Sequence, residues 1–342
     1  MNLRVKKALI SALKIGIPLG LGAYLVWFFF DTLTHDEIEQ IKIAVVQANY
    51  WWVLLAIIPA TLSHVSRAYR WKYTLDPLGY KPDGINSFFS VMIGYLVNLA
   101  VPRLGEISRC GFMNRYEKIP FDKLFGTVIA ERIADLIMLA TVITTVVLIQ
   151  YDLISEFVND LFADKVGSIS ATSVLITLAL LMIGGLVGLY MVYKIEWKIK
   201  ILVTIQNVIK GFLSGVASIL TMKNKGWFIA HTLFIWVMYF LMLYFNFFAL
   251  EETSTISFGA ALTAFVLGGL AMVVTNGGIG AYPLAIQAAL SIYGYSEAAG
   301  GALGWITWVA QTVLVIILGA GSMLLIPIYN KRKKAKIEVR NL

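Results

Sequence analysis

Long apolar runs alternate along this chain with short polar segments, and nearly all of its cations fall on one side of those runs. Of the 28 Lys and Arg residues, Lys42 and Lys165 lie in segments assigned outside and Arg132 lies inside a span; the rest lie in the segments that hydropathy assigns to the cytoplasm or in the spans toward their cytoplasmic ends. The acidic stretches Asp31 to Glu39, Asp152 to Asp164 and Glu251 to Glu252 alternate with the basic ones and are assigned outside. A Lys/Arg bias of this kind sets the orientation of a polytopic membrane protein. A composition of 59% hydrophobic and 14% charged residues excludes an ordinary soluble surface.

Runs of about 20 apolar residues cross a bilayer. They occur near 10 to 30, 51 to 70, 124 to 150, 169 to 193, 227 to 249 and 301 to 326. These predict six spans with both termini cytoplasmic. The first run is too long for a signal peptide and no small-x-small site follows it, so it reads as an uncleaved span. Two further apolar stretches do not fit as crossings. Ile85 to Val101 has basic clusters on both sides, Arg67 to Lys81 and Arg103 to Lys123, so it is expected to enter and return from the cytoplasm. Phe258 to Tyr293, interrupted at Asn276-Gly277-Gly278-Ile279-Gly280, is expected to do the same from outside. Irregular backbone at such depth must be buried in protein or line a wet cavity.

The two halves, residues 1–150 and 151–330, share the order span, amphipathic stretch, span, hairpin, span, before a basic cytoplasmic tail over 331–342. The amphipathic pieces are His35 to Asn49 and Glu196 to Leu220. At the hairpins, Gly94, Leu104 and Gly105 match Gly269, Ile279 and Gly280 at one constant offset. An odd number of crossings between the halves makes the second inverted, a plan common among transporters. The fold class is therefore all-α and polytopic: about six transmembrane helices and two re-entrant helical hairpins in a single membrane domain.

Chemistry concentrates at three places. In the first tip, Pro102 ends one helix and Gly105 permits the reversal into the next, whose N-terminus offers free N–H groups and a positive dipole end. With Arg103 and Arg109 beside it, this reads as an anion site suited to a lipid phosphate, and Glu106 is placed to pair with Arg109 or a cationic group. The competing reading has the arginines snorkelling to headgroups while Pro102 and Gly105 merely make a turn. Second, Glu131, Arg132 and Asp135 lie on one arc inside the third span; charges at that depth should face protein and be neutralised, with Arg103 and Arg109 as natural partners. A purely structural ion network is the alternative. Third, the uncharged tip of Asn276, Gly277, Gly278 and Gly280, followed by Pro283 in a first-turn position, either cradles an anion or plugs a cavity. One cysteine and three scattered histidines offer no metal site, and neither cofactor nor nucleic acid is expected.

Taken in order, Arg67-x-x-Arg70-Trp71, Pro102-x-x-Gly105-Glu106-x-x-Arg109, Glu131-Arg132-x-x-Asp135 and Gly277-Gly278-Ile279-Gly280 resemble the lysylphosphatidylglycerol synthase transmembrane-domain family, also called flippase-like or UPF0104. The resemblance covers almost the whole chain. It implies a membrane domain that translocates an aminoacylated phospholipid, here without the acyltransferase domain that follows it in larger relatives. The sequence departs from the family at Pro283, where members commonly carry a Glu, so a cationic aminoacyl headgroup lacks one expected partner. The resulting expectation is a non-enzymatic lipid translocator of a bacterial cytoplasmic membrane, able to form a homo-oligomer. Its substrate would be an anionic or aminoacylated phospholipid or a polyprenyl phosphate. A membrane-embedded transferase and a non-transporting scaffold for a lipid-modifying enzyme are the alternatives.

Overall fold

The computed structural model describes residues 20–151, 221–275 and 277–340, with isolated positions 16, 203, 206 and 219. The expected span at 169–193, Lys165, Asn276 and nearly all of the amphipathic stretch from Glu196 to Leu220 lie outside the described residues. Among the described residues there is no strand. The helices are α1 (Gly20–Asp31), α2 (His35–Gln47), α3 (Tyr50–Leu75), α4 (Gly84–Ala100), α5 (Leu104–Glu117), α6 (Phe121–Ile149), α7 (Lys225–Phe247), α8 (Phe258–Val274), α9 (Ala281–Ser291) and α10 (Glu297–Arg340). Three of them, α6, α7 and α10, are long and apolar enough to cross a membrane; the α2–α3 pair, bent by 75°, makes a fourth if it is one span. The chain divides into two compact units, Met1–Val128 with Gly226–Leu342, and Ile129–Lys225. Both hairpins belong to the first.

Local sequence explains where these helices begin and end. Thr34 caps α2 reciprocally with Glu37, a capping box that fixes the start of this amphipathic helix. Asn49 accepts from the Trp51 N–H and restarts the chain as α3. Asp83 caps α4 through the N–H groups of Ile85 and Asn86. That helix stops at Ala100 because Pro102 drives Val101 into extended geometry, at φ −137° and ψ 113°. Ser257 caps α8 in the same way as Asp83 caps α4.

The α4–α5 and α8–α9 pairs are helical hairpins, and the 44-residue α10 serves as the rod against which both lie. Close approach to that rod depends on small residues: a Cβ on Gly304 would stand 2.6 Å from Pro283 Cα, and one on Gly300 2.8 Å from Gln287 Cα. A Cβ on Gly319 would meet Leu96 Cβ at 2.6 Å. Rising residue numbers on α10 therefore meet falling numbers on α9, until Trp308 Nε1 donates to the carbonyl of Gly277 at the second tip. At the other end of the rod, Asn330 pairs reciprocally with Asn86, while Lys333 Nζ and Tyr329 Oη both donate to Asp83 Oδ2 at 2.9 Å. Lys333 also lies 3.8 Å from Glu117 at the end of α5, so both arms of the first hairpin are clasped at their base.

The hairpins thus start from opposite ends of α10 and point toward each other. Their bases, near Gly300 and Asn330, are about 45 Å apart at 1.5 Å per residue, close to the full thickness of a bilayer with its headgroups. The tips meet between them, with a Cβ at Gly277 lying 3.6 Å from Leu99 Cδ2.

The two hairpins are unequal. Their first arms, α4 and α8, are each 17 residues long, but the turn is Val101 to Arg103 in one and Thr275 to Gly280 in the other. In the first, Gly94 lets the backbone of Gly105 approach, its would-be Cβ lying 2.9 Å from the Gly105 carbonyl oxygen. In the second, the equivalent contact is made by Gly268, where a Cβ would meet Tyr282 at 2.9 Å, whereas Gly269 has nothing within 4 Å. Gly94 therefore corresponds in role to Gly268, one residue before the match drawn from sequence.

Candidate functional site

The first tip is built by its own residues. Arg103 precedes α5 with φ 64°, a left-handed conformation that non-glycine residues rarely adopt, and its side chain is exposed. The N–H of Gly105 donates to Asn98 Oδ1 at 2.7 Å, and Asn98 Nδ2 reaches Glu106 Oε2 at 3.4 Å. Asn98, which sequence reasoning did not single out, thus occupies one of the α5 N–H groups expected to be free for a ligand. An asparagine one helical turn before Pro102 and Gly105 was the available signal.

Arg103 and Arg109 are not brought to one point. They sit about 9 Å apart along the helix. Arg103 faces out, while Arg109 is 4% exposed and its guanidinium stacks 4.4 Å from the centre of the Trp71 ring. The reason is chemical: a guanidinium can be buried when an aromatic face and hydrogen-bond partners replace its hydration. Trp71 is itself held rigidly, fully buried, with Nε1 donating to Thr127 Oγ1 at 2.8 Å. Its neighbour Arg70, also fully buried, donates to Thr232 Oγ1 at 2.9 Å and lies over the Phe228 ring. Arg67, one turn before Trp71 on the same helical face, donates to Tyr239 Oη at 3.0 Å. Ser66 and His231 Nδ1 are bonded at 2.8 Å beside them.

Three buried guanidinium groups, Arg67, Arg70 and Arg109, therefore gather on α3 and α5. In the sequence, Arg67, Arg70 and Trp71 stand out only as a motif of the family resemblance, and nothing marks Thr232 or Tyr239. These last two are ordinary residues on an apolar helix, and only tertiary packing reveals them. Planar guanidinium groups held in fixed orientation are suited to an anion with oxygens in pairs, such as a phosphate or carboxylate.

In the second unit, the arc on α6 divides. Glu131 is 1% exposed, Asp135 half-buried and Arg132 exposed. The difference follows from helix geometry: at 100° per residue Arg132 is turned a quarter-circle from Glu131, while Asp135 returns to within 40°. At the second tip, Gly277, Gly278 and Gly280 all have positive φ, from 65° to 77°. A Cβ at Gly280 would stand 2.6 Å from the backbone nitrogen of Val26, so α1 packs directly onto this turn. Pro283 lies in the first turn of α9, as its residue type predicts.

Comparison with known proteins agrees with this architecture. The family model described as "Lysylphosphatidylglycerol synthase TM region" matches residues 12–319. A protein described as a UPF0104 membrane protein, from the archaeon Methanocaldococcus jannaschii, is 25% identical over 332 residues, covering 90% of this chain and 95% of its own. No solved structure matches the chain. An all-α chain with apolar membrane-length helices, matched over nearly its whole length, belongs to the lysylphosphatidylglycerol synthase TM region family.

Proposed function

We propose that this protein is a non-enzymatic lipid translocator of the cell membrane. In this reading the two hairpins are re-entrant, and an anionic headgroup passes between them while its acyl chains remain in the bilayer. The observation that carries the reading is the meeting of the two tips midway along α10, at Leu99 and Gly277, from opposite ends of a rod long enough to span a bilayer. Broken helices at membrane depth require burial or a wet cavity, and opposed ones make a passage that either side can close. The buried guanidinium groups of Arg67, Arg70 and Arg109 supply the attraction for phosphate, and their fixation by Trp71, Thr232 and Tyr239 orients them before the headgroup arrives. Glu131 and Asp135 balance charge within the span. The family's description, the TM region of a lysylphosphatidylglycerol synthase, names a phospholipid, whose phosphate is the group these guanidinium groups would meet.

The test is a reconstituted translocation assay with fluorescent lipids in sealed vesicles, comparing wild type, Arg109→Lys and Arg103→Lys. Lysine keeps the charge but loses the planar fork and the stacking on Trp71, so Arg109→Lys should slow translocation about tenfold, as loss of a charge-assisted hydrogen bond implies. The exposed Arg103 should tolerate lysine. Wild-type rates no faster than protein-free vesicles, for anionic, aminoacylated and polyprenyl-phosphate lipids alike, overturn the reading. A wild-type rate in Arg109→Lys removes that arginine from the site.

A further inference from the structure

Helix α5 is the polar arm of the first hairpin, and its charges are sorted by sign. Both carboxylates turn toward α4 and its base: Glu106 Oε2 lies 3.4 Å from Asn98 Nδ2, and Glu117 Oε2 accepts from the Asp83 N–H at 3.3 Å. Arg109 is buried against Trp71. The charges left outside are all cations, Arg115 within the helix and Arg103 and Lys118 at its two ends. Between those ends Leu104, Ile107, Gly111, Asn114 and Arg115 are exposed, and at 100° per residue they share an arc of about 100°. One stripe of α5 is therefore open along its whole length, about 21 Å at 1.5 Å per residue.

Three residues of this stripe are ill suited to the helix they belong to. Arg103 and Lys118 flank it with φ 64° and 59°, the two left-handed residues other than glycine among the described ones. Lys118 stands where a helix commonly ends on glycine. Gly111 weakens the middle of α5, yet a Cβ there would meet nothing within 4 Å, so packing does not require it. Residue choices that oppose local stability without a packing reason point to a task for the exposed face. Depth supplies a second, independent argument. The hairpin base is clasped at the end of α10 that carries Lys333. Arg103, at the tip, lies about 20 Å farther in, beyond the reach of a side chain that snorkels to that surface. An exposed cation at such depth is costly against lipid tails, so polar material has to reach it along the protein.

From these observations we propose that the outward face of α5 is a binding track for anionic phospholipid headgroups, leading from Lys118 and Arg115 at the hairpin base to Arg103 at the tip. The inference rests on the translocation reading and names the route by which the substrate of that reading arrives. The cations draw the phosphate, the acyl chains lie beside Leu104 and Ile107, and Gly111 leaves room where the headgroup passes the backbone. Exposed, flexible cations suit a ligand that moves on, whereas the buried, oriented guanidinium groups of Arg67, Arg70 and Arg109 suit one that is held.

Thiol labelling tests the track without lipid movement, so its failure and that of the translocation reading are distinguishable. Ile107→Cys and Gly111→Cys are made in the full-length protein carrying Cys110→Ala and reconstituted in phosphatidylcholine vesicles with and without phosphatidylglycerol. Labelling uses N-ethylmaleimide, a neutral reagent that attacks hydrated thiols. Ile317→Cys, 63% exposed on α10, is the lipid-facing control, and Leu78→Cys, exposed between α3 and α4, corrects for the effect of surface charge on the thiol. Both α5 thiols should react and Ile317→Cys should not. Relative to Leu78→Cys, phosphatidylglycerol should slow labelling of the α5 thiols about fivefold, the enrichment that one Lys or Arg gives at an anionic surface. Arg103→Gly, Arg115→Gln and Lys118→Gly together should remove this protection without lowering the melting temperature, since glycine suits both left-handed positions. An α5 face as unreactive as Ile317→Cys overturns the proposal, as does labelling indifferent to phosphatidylglycerol. Full protection in the triple variant also overturns it.

Discussion

Gly105→Ala is the sharpest perturbation of the first hairpin. A methyl group there points into the backbone of α4, overlapping the carbonyl oxygen of Gly94 and coming within 2.5 Å of Asn98 Cγ. The obstacle is backbone rather than a flexible side-chain end, so relief requires the two arms to part near the tip. Overpacking of this kind costs about 1–3 kcal/mol. Moving Asn98 also breaks its cap on the Gly105 N–H, worth about 1 kcal/mol. Set against the helix-propensity gain of nearly 1 kcal/mol for replacing glycine by alanine, the net loss is about 1–3 kcal/mol. At roughly 2 °C per kcal/mol for a chain of this size, the melting temperature should fall by about 2–6 °C. The internal control is Gly269→Ala, in α8 with no atom within 4 Å of its would-be Cβ, which should gain up to about 1 kcal/mol. Thermal unfolding of both variants in one detergent, followed by intrinsic fluorescence, gives the comparison. Unchanged melting in Gly105→Ala, or a fall in Gly269→Ala as large as in Gly105→Ala, would refute the close packing of the first hairpin and the correspondence of Gly94 with Gly268.

Three further outcomes follow. Arg103→Gly should raise the melting temperature by about 1–2 °C, because it removes the roughly 1 kcal/mol penalty of a left-handed arginine; a fall would mean that the side chain supports the tip. Asp83 sits at the hairpin base, where burial alone would raise its carboxyl pKa; hydrogen bonds from Lys333, Tyr329 and the Asn86 N–H prevail and hold it below the ordinary value. A carboxylate lowered in this way stabilises the fold fully above its unfolded value near 3.9, and the contribution is lost as pH falls through the lower folded value. Melting curves of Asp83→Asn should therefore lie below wild type from about pH 5 upward, by about 1 kcal/mol, and converge with it in acid; a constant gap down to pH 2 contradicts the assignment. Trp308→Phe removes the donor to the Gly277 carbonyl, worth about 1 kcal/mol, so backbone hydrogen exchange should quicken at residues 275–280 and stay unchanged at 101–105.

Proline and glycine made both tips legible from sequence, since each forces a local geometry whatever surrounds it. Pro102 ends α4 where expected, and the glycines of the second tip take the positive φ values that only glycine adopts readily. The helix break between α2 and α3 was likewise legible, from the shift between amphipathic and continuous apolar pattern. What sequence could not decide was which of two like residues a tertiary contact selects. Arg103 and Arg109 are the same amino acid six positions apart; one is exposed and one buried because Trp71, on another helix, lies opposite only the second. Gly268 and Gly269 are adjacent, and Tyr282 chooses between them. The Asn98 cap and the Thr232 and Tyr239 contacts were hidden for the same reason, as was the outward turn of Arg132.

The unequal turns make the two hairpins mechanically different jaws. One closes over three residues and is cross-braced by a side-chain cap and by backbone against backbone, so it deforms only by moving as a block with its clasped base. The other closes over six, with three left-handed glycines whose dihedrals can change with little steric penalty. Where a stiff jaw faces a compliant one, displacement gathers in the compliant one. In the translocation reading proposed above, the geometry of the gap would then be set by the second tip, with the first as the fixed anvil.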